Sequence, residues 1–483
     1  MFQIKYYNTI TVVINYSMED EMEKRSKSLI KNTTILGFGT LCTKGIMFFM
    51  TPLFTRWLTR EEFGTFDLLV TYITLLVPLL TIASGEAIFR LILDETNKKK
   101  EKDILSTAFW IDIVGIVISL IISVIIFFIT DINKNIIVSF LFYLINEILY
   151  NYFMMAMRGK KRLNIYTVAN ILFVVFMAVF VFIFVYIFKM GLCGILLGYG
   201  CGDLVSIIVI CWRSKIYKEI NIFNFSNKTF KDIIQYSIPM IPNSISWWIV
   251  NVSDRTLISL VYGTECNAIY AVANKVPALC NTFFSVFHLS WQQNATEALS
   301  DEDRDKYYTN VFNNMICIVI SICIFILGFN YWFFKLFTEE YAKGYYQSPI
   351  LIMSIIFSMM GQFIGGIYVA QKKSKKNGIT TIIAASINII VNILLINKIG
   401  LYAASMSTLI AYLTLFIIRY IDIKKDINIK ISQKSQILFG ITSYFLITSY
   451  INLGTFKYIN VFLSSLVFIV INFDYLRKIF FKK

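Results

Sequence analysis

A chain of 483 residues that is 57% hydrophobic and only 16% charged is not an ordinary soluble protein. Its apolar residues form long blocks separated by short basic clusters, and no polar stretch is long enough for a soluble domain. The net charge of +15 does not mark a nucleic-acid binder, because Lys and Arg lie between the blocks, where they set topology and meet anionic lipid.

Residues 1–17, MFQIKYYNTITVVINYS, are too polar for a signal-peptide core and lack a small-residue cleavage site. Met18 opens MEDEMEKRSKS, a natural charged N-terminus, so residues 1–17 read as a mis-assigned start or a tail. Windows of ~20 apolar residues then suit helices that cross the hydrocarbon. They fall near 30–55, 67–90, 105–130, 136–157, 165–188, 191–213, 234–262, 267–292, 311–334, 348–371, 379–397, 401–421, 436–453 and 458–476. The expected fold is all-α, a polytopic membrane protein with about 14 spans. Eight cysteines at 42, 193, 201, 211, 266, 280, 317 and 323 lack metal-like pairing, and His288 is the only histidine. No metal or cofactor is expected.

The connections alternate in charge. The segments Lys24–Lys31, Asn97–Lys102, Arg158–Arg162, Arg213–Lys231, Asp301–Lys306, Lys372–Lys376, Arg419–Lys434 and Arg477–Lys483 hold 32 Lys and Arg, against 8 in the loops between them. This bias places both termini in the cytoplasm and requires an even number of spans.

Four basic residues lie inside spans: Lys44, Arg90, Arg255 and Lys275. A charge near the bilayer centre is expensive, so such residues face a water-filled cavity or pair with a partner. Lys44 falls near the midplane of the first span, and Arg255 and Lys275 in the outer halves of the seventh and eighth. Arg90 is near enough to a cytoplasmic end to snorkel. Among acidic residues, Asp67 is set aside as a span end and Asp112 as near an interface. Glu86 and Arg90, four apart on one helical face, read plainly as an ion pair; Lys44, Arg255 and Lys275 read as lining a cavity, with pairing to Asp254 the alternative for Arg255. Glu147 and Asp203 lie well inside the fourth and sixth spans, as neutral hydrogen-bonded carboxyls or as a proton site. Glu86, Glu147, Asp203 and Asp254 are therefore the ion-coupling candidates.

The stretch YSIPMIPNSISWWIVNVSDRTLIS (Tyr236–Ser259) concentrates these signals. Pro239 and Pro242 allow a bend, while Asn243, Ser244, Trp247, Trp248 and Asn251 supply polar and aromatic groups to a cavity wall. Leu58–Phe66 and Tyr262–Tyr270 join the first two and the seventh and eighth spans in the same manner, with Pro78 and Pro277 at similar depth. The pattern suggests two six-helix repeats: a cytoplasmic segment 1–28, an N-terminal lobe 29–230, a C-terminal lobe 231–425, and two extra helices with a tail at 426–483. Repeats of this kind hold cargo at their interface and alternate access by rocking, with the proline-bearing spans as the gate. Asn388 and Asn392 read as helix-to-helix glue.

Tyr236–Ser259, followed by AIYAVANKVPALCNTFFSVFHLSWQQNATE (Ala268–Glu297), and Thr51–Ile92 resemble the polysaccharide flippases of the multidrug/oligosaccharidyl-lipid/polysaccharide exporter superfamily, the O-antigen or capsule repeat-unit translocases. The resemblance covers about a quarter of the chain. It implies a cytoplasmic-membrane protein, not an enzyme, that moves an undecaprenyl-pyrophosphate-linked oligosaccharide through a central cavity. It further implies H+ or Na+ as coupling ion and the polysaccharide polymerase machinery as a candidate partner. Asp254, Arg255 and Lys275 correspond to the family's Ser-Asp-Arg and Lys-x-Pro elements, and Asn243 and Ser244 to its Pro-Asn-Ser. The rivals are a lipid II-type cell-wall precursor flippase and a cation-coupled multidrug exporter of the same superfamily, whose cationic cargo fits fixed cations poorly. A membrane enzyme would need a larger outer loop than Tyr331–Ser348, whose acidic residues are Glu339 and Glu340.

Overall fold

The computed structural model describes residues 39, 42–93, 95–221, 224–371, 373–451 and 456–480, and every regular element among them is helical. The first span is represented by α1, residues 42–57. Next come α2 (Arg60–Leu80), α3 (Ser84–Leu93), α4 (Lys98–Ile129), α5 (Lys134–Gly159), α6 (Leu163–Val181, prolonged by a π turn to Ile187) and α7 (Gly191–Ser214). A short helix, α8 (Asn227–Ser237), leads into α9 (Met240–Tyr262), α10 (Thr264–Glu297), α11 (Arg304–Phe334), α12 (Ser348–Ala370), α13 (Ser374–Ile399) and α14 (Tyr402–Ile423). The last pair is α15 (Gln433–Tyr450) and α16 (Phe456–Phe480). A helix stands at each of the fourteen expected windows. Ten of the described helices are long and apolar enough to cross a bilayer. Helices α9, α10 and α15 are not among the ten, because polar residues interrupt their apolar runs. Residues 1–17 lie outside the described residues.

Local chemistry sets the boundaries. Thr59 and Glu62 form a capping box at the start of α2, with the Glu62 amide donating to Thr59 Oγ1 (3.2 Å) and the Thr59 amide to Glu62 Oε2 (2.9 Å). Asn97, Asn133 and Ser432 cap α4, α5 and α15 in the same spirit. The second span is not one helix. Pro78 lacks an amide proton, Ile82 and Ala83 adopt φ +51°, and the Ala83 amide returns to Pro78 O (2.7 Å), so the chain breaks between α2 and α3. Pro277 leaves α10 continuous, so the two prolines are not structural equivalents. Pro239 caps α9 and Pro242 sits in its first turn; both mark a corner after α8 instead of kinking a helix.

Packing divides the helices into two bundles. In the first, α5 and α6 pack on α7, and α3 and α4 on α5; in the second, α12 and α13 pack on α14, α10 on α12 and α9 on α13. Helices α15 and α16 lie against α11, outside both bundles. Two apolar cores correspond to the bundles, but the first continues through Ala268–Ala273, Phe337 and Tyr341. The lobes are therefore joined at the end that carries the α2 and α10 N-termini. At the opposite, basic end the ties stay within a lobe: Lys160 bridges Glu101 and Glu219, Lys376 pairs with Asp422, and Asn428 N donates to Asp305 Oδ2.

Candidate functional site

The joined end is built by two similar turns meeting face to face. A Cβ on Gly64 would lie 1.8 Å from Thr264 O, so α2 and α10 touch backbone to backbone. Asn267 Nδ2 donates to Gly64 O (2.9 Å), and the Phe63 and Tyr341 rings meet edge to face at 6.0 Å. At the rim Arg60 pairs with Glu265 (3.1 Å) and Glu340 (3.6 Å). The segments expected to be repeats are thus direct partners.

Deeper in, α9 faces α2. Arg255 Nη1 is 3.1 Å from Asp67 Oδ2 and also donates to Thr71 Oγ1 (3.2 Å), while Trp248 Nε1 donates to Thr71 O (2.9 Å). The pair is enclosed, with side-chain exposure of 21% for Arg255 and 6% for Asp67. Arg255 Nε has no hydrogen-bond partner among the described residues. Lys275 on α10, half-buried, lies within electrostatic reach of Asp67, Arg255 and Lys44. Lys44 on α1 is exposed and lies within electrostatic reach of Lys275. Among the described residues neither lysine makes an ion pair. Two cations, from α9 and α10, thus stand beside one carboxylate from α2, with Lys44 of α1 near Lys275.

Asp254 does not pair with Arg255. Neighbours in a helix do not face one another, and Asp254 turns into the second lobe. Its Oδ2 accepts from Thr408 Oγ1 (2.5 Å) and Tyr270 OH (2.9 Å), and its Oδ1 from Asn392 Nδ2 (2.8 Å) and Ser407 Oγ (3.4 Å). This carboxylate ties α9 to α10, α13 and α14. Asn388 Oδ1 accepts from Ser253 Oγ (3.1 Å), so both asparagines join helices as expected. Arg419, counted with a basic loop, is instead 1% exposed inside the same lobe. It donates to Thr380 Oγ1, Thr381 Oγ1, Gly361 O and Asn377 O at 2.9–3.1 Å, four neutral acceptors.

The remaining candidates scatter. Arg90 is exposed near the end of α3, and Glu86 is half-buried on the same helix. Trp248 spends its N–H on α2, and Ser244 Oγ donates to Met240 O in its own helix (3.2 Å). The side chains of Asn243, Trp247 and Asn251 lie outside the described residues. Glu147 and Asp203 come together between α5 and α7, far along the first lobe from Asp254. Two residues were undervalued from sequence. Asp112 is buried, not interfacial, and accepts from Ser84 Oγ (2.6 Å). Asp67 sits seven residues inside α2, about 10 Å along its axis; an acid two turns within an apolar helix was the available signal.

The family described as polysaccharide biosynthesis protein matches residues 29–291. No curated protein matches the sequence. Solved structures with a similar fold include an inward-facing multidrug resistance MATE family transporter of the MOP superfamily (14% identity, 84% of this chain and 96% of that one, TM-score 0.64). The lipid II flippase MurJ in an inward closed conformation is another (14% identity, 93% and 99% coverage, TM-score 0.63). A third is a MOP superfamily transporter from Pyrococcus furiosus described as having a binding pocket of reverse polarity (13% identity, 85% and 96% coverage, TM-score 0.57).

Proposed function

The chain belongs to the polysaccharide biosynthesis protein family, and from that membership we propose that it flips an undecaprenyl-pyrophosphate-linked oligosaccharide across the cytoplasmic membrane. The basic end faces the cytoplasm, with both termini there, and cargo enters between the lobes from that side. A pyrophosphate leaving water for a low-dielectric cavity needs fixed positive charge and hydrogen-bond donors. The observation that carries the reading is the pair of cations, Arg255 and Lys275, beside the single carboxylate of Asp67, with Lys44 as a third cation near Lys275. Asp67 neutralises only one of the three, and Arg255 keeps Nε free for an incoming anion. Lys44 and Lys275 draw the head inward, and the head then competes with Asp67 for Arg255. Losing that partner weakens the α2–α9 contact, which opens the far end. The lipid tail stays in the bilayer while the sugars cross between the lobes, and inward movement of H+ or Na+ completes the cycle.

The test is export of lipid-linked repeat units in a flippase-deficient strain. Lys44→Ala and Lys275→Ala should each abolish export while membrane insertion is retained. Full complementation by both would remove the cationic path, and rescue by this chain of a lipid II flippase-deficient strain instead would move the cargo to the cell-wall precursor.

A further inference from the structure

The basic end of the first lobe encloses a polar cavity of about 520 Å³, the size of a small-molecule site. Ile92 and Leu93 at the end of α3 give it an apolar floor, while the first turns of α4 and the turn after α5 form its walls. None of its lining residues belongs to the group around Asp67. Helix α4 has 32 residues and is about 48 Å long, well beyond the ~30 Å of hydrocarbon. Its lysine-bearing first turns therefore stand at the level of lipid headgroups.

Five cations and three carboxylates line the cavity, and the carboxylates are already committed. Glu101 and Glu219 both hold Lys160, whose side chain is only 7% exposed. Glu95 accepts from the amides of Thr96 (3.0 Å) and Asn97 (2.9 Å) and faces Lys100 at 3.8 Å. Arg162 donates through Nη1 to Ser214 O (2.9 Å), a neutral acceptor that leaves its charge unbalanced. Among the described residues Lys98, Lys102, Lys161 and Arg162 make no ion pair. The turn that carries two of them is fixed, with Lys161 N donating to Arg158 O (3.1 Å) and Arg162 N to Met157 O (2.9 Å). Lys161 holds φ +58° there, a conformation that favours glycine, yet the position carries a cation.

We propose that this cavity binds a phosphate ester, presented as the headgroup of an anionic lipid or as a soluble phosphate. Lysine ammoniums meet phosphate as point charges, and Arg162 has N–H donors beyond the one given to Ser214. Basic pockets between helices at a membrane face are where lipid headgroups bind. The test is calorimetry on the full-length protein in a neutral maltoside detergent. Its probes are dioctanoyl phosphatidylglycerol, glycerol 3-phosphate, and dioctanoylglycerol, which lacks the phosphate. Phosphatidylglycerol should bind and dioctanoylglycerol should not. Lys102→Gln combined with Lys161→Gln should weaken that binding about 25-fold, roughly fivefold for each cation. Lys161→Gly removes the same charge while relieving the backbone, so its weaker binding does not arise from misfolding. Lys306→Gln combined with Lys434→Gln takes as much charge from exposed positions elsewhere at the basic end and should change nothing. Binding of phosphatidylglycerol alone assigns the site to a headgroup, and equal binding of glycerol 3-phosphate assigns it to a soluble phosphate. Failure of both phosphates to bind overturns the proposal, as does equal binding of dioctanoylglycerol or an equal loss in the Lys306 and Lys434 variant. No cargo enters this measurement, so its outcome is separate from that of the export assay.

Discussion

Arg255 on α9 and Asp67 on α2 bridge the two lobes at 3.1 Å, and both are largely shielded from solvent. The pair ties α9 to α2 across the two lobes. Removing one partner of such a pair costs about 3 kcal/mol, on the order of a hundredfold in an equilibrium between closed and open forms. Asp67→Asn should therefore raise the reactivity of a cysteine placed at Asn267 toward a membrane-impermeant thiol reagent. Asp67→Glu should leave it near the wild-type level.

Gly64 makes a sharper prediction. Any side chain there meets the Thr264 carbonyl, a main-chain atom that cannot step aside. Gly64→Ala should lower export at least tenfold, and truncating the Thr264 side chain should not restore it. Complementation of a flippase-deficient strain by both proteins compares the two.

Charge at Lys275 should matter more than shape. Lys275→Arg keeps the cation near Asp67 and Arg255 and should retain most export. Lys275→Gln should weaken binding of an isoprenyl pyrophosphate roughly tenfold, the equivalent of about 1.4 kcal/mol. Binding to purified protein by calorimetry, at fixed ionic strength, reads the difference.

Asp254 should behave as a folding residue. Its four donors come from three helices, and Asp254→Ala strands them in a buried site at ~1–3 kcal/mol for each unsatisfied group. A marked fall in thermal midpoint is expected for Ala and a smaller one for Asn, which still accepts through its carbonyl oxygen. Tryptophan-fluorescence melts of detergent-purified protein check both.

Arg419 is the parallel case for a cation. Its planar fork reaches four acceptors on α12 and α13 at once, which a lysine ammonium cannot do. Arg419→Lys should lose nearly as much thermal stability as Arg419→Ala.

The helical windows and the alternating basic loops were legible because hydrophobic length and loop charge are local signals. What one strand of text hides is direction around a helix axis. Asp254 and Arg255 are adjacent in sequence yet point into different neighbourhoods, one into a lobe and one across to α2. Asp67 and Arg419 looked like end-of-span charges because their partners lie 188 and 38–58 positions away. The break after Pro78 and the unbroken α10 at Pro277 differ for a similar reason, since only tertiary packing decides whether a proline ends a helix or is absorbed.

The contact between Gly64 and the Thr264 carbonyl is made almost wholly of main-chain atoms. On the transport reading proposed above, side chains that meet the cargo could therefore be exchanged without disturbing this contact. An engineer wishing to retarget this scaffold should edit the walls and leave that crossing point untouched.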